Sequence, residues 1–351
     1  MKHALLTILL AAAALRAAAD PLAGWEPPAP ESILTAPAAP MRAMAGGPAA
    51  PGYDAPLSGE WVEGRGVHRR ATLLNPRLPE GAPLRLRIEF ENRAAEKQEM
   101  RGQLLFGYDL IVRVTPPRTR PFEYKPIAPG AIIPTTVLEL APGEINRRDW
   151  ELLADPETVS GALFDWPGVW TVDVAMRALS KDEPPPHPVV VLGSFPVEVL
   201  PASGDDAAAR KILGKDPSSY LGIMAPNQMT PRHYDLVRQA AEAGPSAMIA
   251  PRLLFTAAFY ETLSDDTRAA GLARLEALAT GAAGTPVCED VWVSLLNNRS
   301  SYKEEPATTR LFNRIWSDPV LTQVIPRDSP TITDRLGPSG KGLFDDETAL
   351  R

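Results

Sequence analysis

The sequence is short of the residues that most often carry metal and redox chemistry. It holds one cysteine, Cys288, and four histidines in 351 residues. A single thiol excludes an intrachain disulfide framework and any zinc site built on several cysteines. The histidines, at positions 3, 68, 187 and 233, include no His-Glu-x-x-His arrangement. Positive charge is in deficit too, with 36 Lys+Arg against 43 Asp+Glu and a formal charge of −7. That balance argues against a nucleic-acid partner, which normally meets a basic face. Past residue 19 no stretch reaches the roughly 18 unbroken apolar residues of a transmembrane helix. Neither a cofactor nor a membrane span is therefore expected. Proline is in excess: 38 of 351 residues, about twice the ordinary share, which disfavours a mostly helical protein.

What is present begins with an export pattern. Lys2 and His3 precede an apolar run from Ala4 to Leu15, bounded by Arg16. Ala17-Ala18-Ala19 then offers small residues at both positions a signal peptidase reads. Residues 1–19 are expected to be a signal peptide cleaved after Ala19; the competing reading is a short N-terminal helix of the folded protein. Cleavage removes Lys2 and Arg16 and no acid, so the formal charge moves from −7 to −9. The Ala-, Arg- and Pro-heavy composition resembles that of a GC-rich bacterium, which places the expected destination in the periplasm or outside the cell.

The remaining chain divides by pattern. Residues 20–56 are rich in proline and alanine, as in Pro27-Pro28-Ala29-Pro30, and lack periodic apolar positions. Such a stretch buries too little surface to offset its ordering entropy, so a disordered linker is expected. Residues 57–201 carry period-two alternation, clearest in Leu84-Arg85-Leu86-Arg87-Ile88-Glu89-Phe90-Glu91. Further strands are predicted at 108–115, 135–140, 170–177 and 189–200, with weaker ones near Trp61, at 71–74 and at 145–152. Strands at this spacing without intervening helices predict an antiparallel β-sandwich.

Past Pro201 the period changes to that of helices, over 202–325. Ser203 is a candidate cap for 207–213, and Thr230-Pro231 opens a helix to about Ala243. A helix from Pro245 carries Ile249, Leu253, Leu254, Phe255 and Phe259, apolar on most sides and so the expected centre. Leu272, Leu275 and Leu278 mark another helix, Thr285-Pro286 starts the next, and Leu311, Phe312, Ile315 and Trp316 stripe the last. Short loops between them predict antiparallel helical hairpins. Residues 326–351 are polar and expected to be a disordered tail. The fold class is thus α+β and multidomain: an antiparallel Ig-like sandwich followed by an all-α helical-hairpin domain.

Several segments together carry a family resemblance. Leu86-Arg87-Ile88-Glu89-Phe90-Glu91-Asn92, Tyr108-Asp109-Leu110-Ile111-Val112 and Ala141-Pro142-Gly143-Glu144 resemble bacterial Ig-like sandwiches of the proteinase-inhibitor BsuPI type. Pro167-Gly168-Val169-Trp170-Thr171-Val172 is similar to the penultimate strand of such domains, where the aromatic is usually tyrosine. Ser194 to Val199, then Pro201 and Gly204-Asp205-Asp206-Ala207, resemble a junction in secreted bacterial proteins where an Ig-like domain passes into a helical tail. The resemblance covers about residues 80–215 and implies a fold and a location rather than an activity. Trp170 in place of tyrosine lacks the hydroxyl of a tyrosine corner.

Sites of chemistry are few. Cys288 as a nucleophile needs a histidine and an orienting group, and a small buried residue on a first helical turn is the simpler reading. Gly244-Pro245-Ser246-Ala247-Met248 lacks the second glycine of a nucleophile elbow. Gly337 to Gly342 imitates a phosphate loop without its strand, helix or hydroxyl residue. Asp155, Glu157 and Asp165 are read as solvated loop acids or, alternatively, calcium ligands. Trp61, Trp150, Trp166 and Trp170 are able to stack on sugars, with Trp170 assigned to the core by parity. Trp166 beside Asp165 sits on an expected loop and is the aromatic to test as a contact. Arg120-Pro121-Phe122 resembles one loop motif of cysteine-protease inhibitors on Ig-like folds, although their companion loops are missing. The expected function is non-catalytic binding or scaffolding outside the cytoplasm, toward a protein or a cell-surface glycan. The alternative is a secreted protease inhibitor acting through Arg120 and Phe122.

Overall fold

A computed structural model describes residues 55–64, 66–101, 106, 109–125, 137–155, 158–177, 189–281, 287–318 and 321. The expected leader and tail, nearly all of the linker, and Glu157, His187, Thr285-Pro286 and Gly337–Gly342 lie outside these residues.

The alternating segment forms strand β5 (Leu84–Asn92), with Leu84, Leu86, Ile88 and Phe90 all buried. It pairs antiparallel with β3 (Val67–Leu73) on one side and β10 (Ile145–Leu152) on the other. Two short strands, β1 (Leu57–Ser58) and β2 (Val62–Gly64), pair antiparallel with β3 and complete this sheet. A second sheet runs in the order β4 (Arg77–Pro79), β12 (Val189–Leu200), β11 (Gly168–Arg177), β7 (Leu110–Thr115) and β8 (Phe122–Glu123). Its buried row is Trp170, Val172, Val174 and Met176 on β11, set across from Val197 and Phe195 of β12. The inward rows of the two sheets join one apolar core, as expected for two half-buried antiparallel layers. Strands β6 (Gln98–Arg101) and β9 (Val137–Leu140) form a separate antiparallel pair.

One pairing departs from the expected antiparallel pattern. Strand β4 lies parallel to β12, through Arg77↔Glu198 and Pro79↔Leu200. The two strands are far apart in sequence, so no hairpin constrains their relative direction. Strands β1, β4, β6 and β8 span two to four residues each, too few for alternation to announce them.

Seven α-helices follow among the described residues: α1 (Gly204–Leu213), α2 (Ser218–Met224), α3 (Pro231–Ala243), α4 (Ala250–Glu261), α5 (Asp265–Gly281), α6 (Cys288–Ser301) and α7 (Glu305–Ser317). Mixed α and β structure, strands first and helices after, is thus observed. Thr230 caps α3 as anticipated, its hydroxyl accepting the His233 amide. Ser203 stands at the N-terminus of α1 but makes no side-chain capping bond. The central helix starts at Ala250 rather than Pro245. Asp205 accepts the Ser246 amide at 2.9 Å and Asp206 the Met248 amide at 2.8 Å, holding that segment in turns. Helix α2, of seven residues, is too short to give a periodic signal in the sequence.

Helix α4 feeds two cores. Phe255 and Ala258 join α5, α6 and α7, whereas Ala250, Leu253 and Ala257 join α1, α2, α3 and the β-module residues Leu153, Ala154 and Ala162. The sheets and helices are therefore not two bodies on a string. A buried ion pair reinforces the seam: Arg252 Nε lies 2.5 Å from Glu151 Oε2, with side chains 13% and 4% exposed. Arg252 also meets Asp290 of α6 at 2.7 Å. Gly161 has φ +76°, and a β-carbon there would fall 2.0 Å from the Pro217 carbonyl oxygen, so glycine permits a close backbone approach across the seam.

Candidate functional site

Strand register gathers the sequence-derived candidates at one end of the second sheet. Strand β11 enters at Gly168, opposite Val199 near the exit of β12. Thr171 pairs with Thr115, the last residue of β7. The β7–β8 turn, the segment before Gly168 and the passage from β12 into α1 therefore share this end. Pro117 packs directly on Gly168, whose φ is +141°; its Cγ is 2.7 Å from where a β-carbon would stand. Residues 117–121 of the turn are exposed, Arg118 and Arg120 among them. Neither arginine has an ion-pair partner among the described residues.

Trp166, two residues before the Gly168 that Pro117 covers, is 40% exposed. Its ring centroid lies 5.4 Å from that of Trp170, which is 1% exposed and meets Phe164 edge-on at 5.2 Å. Trp170 Nε1 donates to the Trp166 carbonyl at 3.2 Å. One side of the Trp166 indole is thus backed by the core while part of it faces water, with exposed Pro167 and Val169 next to it. Phe122 is different: it sits opposite Val114, half-buried against the core.

Asp165 turns the other way, into a cleft of about 630 Å³ between the sheets and α1. Glu80, Ser160, Asp165, Arg210, Lys211 and Tyr220 line it. Arg210 spans the seam, pairing with Glu80 at 3.2 Å and donating to the Asp165 carbonyl at 2.8 Å. Asp165 Oδ2 accepts from Ser160 at 3.2 Å, and its buried Oδ1 lacks a hydrogen-bond partner. Burial pushes the Asp165 carboxyl above its usual range, against the opposing pull of Ser160 and Arg210. The Tyr220 phenol is likewise raised by burial. Of this lining, sequence reading singled out only Asp165. Glu80 and Arg210 lie 130 positions apart, and no local pattern marks either one.

The remaining candidates are not assembled for bond-breaking. Cys288 is buried, and desolvation pushes its thiol up to about 11, so it stays protonated at neutral pH. A Ser218–His233–Asp216 group, not foreseen from sequence, resembles a hydrolytic triad only in composition. Ser218 Oγ donates to Asp216 at 2.5 Å and lies 2.9 Å from His233 Nε2. Asp216 approaches that same Nε2, at 3.6 Å, whereas a triad acid holds the ring nitrogen remote from the serine. Asp216 also accepts the Ser218 amide at 3.2 Å, which makes the group a helix-start network. Accordingly Asp216 is held below its ordinary range, chiefly by the Ser218 hydroxyl. Trp61 is half-buried beneath the Arg70 guanidinium at 4.5 Å, and Trp150 packs against the sheet core. Among the described residues no group of three or more His, Cys, Asp or Glu side chains is placed to hold a metal ion. No helix among them is long and apolar enough to cross a membrane.

No family model and no curated protein matches the sequence. Among solved structures, a β-glucosidase from Listeria innocua in complex with isofagomine is similar at a TM-score of 0.24 and 17% identity, over 38% of this chain and 16% of that one. The glucose complex of the same enzyme gives the same values. A β-glucosidase from Erythrobacter marinus reaches 0.22 and 14%, over 41% of this chain and 15% of the other. The chain thus spans less than a fifth of those proteins, and at these TM-scores the likeness bears on neither fold nor chemistry.

Proposed function

We propose that this chain is an exported, non-catalytic binding or scaffold protein of the periplasm or cell exterior. An Ig-like β-sandwich and a helical-hairpin module jointly present its contact surface, whose partner is a protein or a cell-surface glycan. Export rests on the leader pattern of residues 1–19. The observation that carries the binding role is the convergence of Trp166, Arg118, Arg120 and the cleft at Asp165 on one end of one sheet. Exposed aromatic and arginine side chains on turns held by a rigid scaffold are the usual makings of a contact surface. The buried thiol of Cys288 and the Ser218 proton directed to Asp216 support the absence of catalysis. Labelling tests this. A fluorophosphonate probe is expected to leave Ser218 unmodified, and iodoacetamide to reach Cys288 only after denaturation. Rapid stoichiometric labelling of either residue in the folded protein would contradict a non-catalytic role.

The exposed turn at Arg120 favours one second reading, a protease inhibitor whose turn enters an active-site cleft. That reading predicts that the full chain blocks a panel of cysteine proteases and that Arg120→Ala weakens the block at least tenfold. Arg120 is the clean test because Phe122 is half-buried and packs against the core. No block at micromolar concentration would remove this reading.

A further inference from the structure

The end of the sheet that carries Trp166 presents two exposed arginines without ion-pair partners among the described residues. The mature chain is acidic, and its arginines are mostly neutralised in place. Arg87 pairs with Asp149 at 2.7 Å, Arg77 with Glu198 at 2.9 Å and Arg268 with Glu304 at 2.7 Å. Arg118 and Arg120, two residues apart on the exposed turn, have no such neighbour among the described residues. The nearest acid along the chain, Glu123, is taken by Lys125 at 3.3 Å. Unspent guanidinium groups on a turn stiffened by Pro116, Pro117 and Pro121 are poised for anionic groups outside the molecule, with little backbone ordering left to do on binding.

At the same end of the sheet Trp166 offers a flat apolar surface backed by Trp170. Its backbone carbonyl is tied down by the Trp170 indole N–H at 3.2 Å, and its ring packs on that of Trp170 at 5.4 Å. A fixed indole suits stacking on the C–H face of a sugar ring, and a guanidinium pair suits carboxylates. Resting on the binding role proposed above, we infer that this surface takes a carboxylate-bearing polysaccharide. In this arrangement a pyranose ring stacks on Trp166 while neighbouring uronate groups meet Arg118 and Arg120. An acidic peptide would satisfy the arginines equally well but makes no use of a flat indole surface.

Calorimetric titration of the full chain with oligogalacturonate, dextran and polyglutamate tests the assignment. Oligogalacturonate is expected to bind, and raising the salt from low to molar concentration should weaken it, as contacts between exposed charges require. Dextran, with the sugar rings and no carboxylates, should not bind, and polyglutamate should bind at least tenfold more weakly than oligogalacturonate. Trp166→Ala should weaken oligogalacturonate about tenfold, the scale of one aromatic contact. The pair Arg118→Ser with Arg120→Ser should lower it tenfold or more, since hydrogen bonds to charged groups are worth more. Both arginines are exposed, so that variant keeps the wild-type melting temperature and its loss is a binding loss. Equal binding of polyglutamate, equal binding of dextran, or full affinity in the arginine variant would each overturn the assignment. Binding of none of the three would overturn it too, while partner crosslinks at the same end of the sheet would leave the broader binding role standing.

Discussion

At the scale of single residues, environment separates side chains that sequence alone treats alike. Trp166 and Trp170 lie four positions apart, yet one is a part-exposed plate and the other its buried support. Period-two parity gave Trp170 to the core because it shares a row with Val172 and Val174. Trp166 precedes the strand and has no parity to read. Asp165 was legible as a loop acid, but not its burial, which depends on α1 folding over it. That burial has a pH consequence. A carboxyl raised in the folded state favours folding fully below its unfolded value of about 3.9, and this contribution is lost as pH rises through the folded value. Above the folded value the ionised Asp165 is therefore a cost. Asp165→Asn is expected to raise the melting temperature at pH 7, with the gain shrinking as pH falls toward 4. Equal melting temperatures at pH 7 would place Asp165 in a better-solvated site than its surroundings imply. Glu304 behaves oppositely: hydrogen bonds from Arg268 and Arg299 hold it below its usual range. Its contribution is present above the unfolded value of about 4.3 and is lost as pH falls through the folded value.

Element by element, legibility followed length and capping chemistry. Strand β5 and helix α3 were readable because one alternates over nine residues and the other opens on Thr230-Pro231. Thr230→Ala removes the acceptor for the His233 amide and is expected to cost about 1 kcal/mol in urea unfolding, as other helix caps do. No measurable change would mean that water serves α3 equally well. The start of α4 was misplaced because Pro245 is a good opening residue locally, whereas Asp205 and Asp206, about 40 positions away, claim the amides that follow it. Helix α2 and the two-residue strands stayed hidden for lack of any period. The β7–β8 turn is the element that most concerns function. Its prolines are visible in the sequence, but only the fold shows that Pro117 lands on Gly168 and that Arg118 and Arg120 share the end of the sheet that carries Trp166.

For the whole molecule, the decisive feature is the seam. Sequence pattern divides the chain cleanly at Pro201, and the backbone does change there from strand to helix. Packing ignores that division: Leu153, Ala154 and Ala162 complete the core of α1 to α4. The strand and helical segments are therefore expected to unfold in one calorimetric transition; two resolved transitions would show that the seam is weaker than its packing suggests. Arg252→Ala strands Glu151, whose side chain is 4% exposed, without its counter-charge. A loss of roughly 3–5 kcal/mol is expected, the usual result of removing one partner of a buried ion pair. A rigid seam also gives the cleft at Asp165 and Arg210 a fixed shape, because its walls come from both sides.

The most direct measurement is a photo-crosslinking scan of the full chain in its native cells, with the crosslinking residue placed singly at several exposed positions. Substitution at Arg120, Trp166 or Lys211 is expected to capture one discrete partner species. Substitution at Ile145, Leu263 or Tyr302, exposed elsewhere on the molecule, is expected to capture none. Capture concentrated at those three remote positions, or spread evenly over all six, would contradict a contact surface at the Trp166 end.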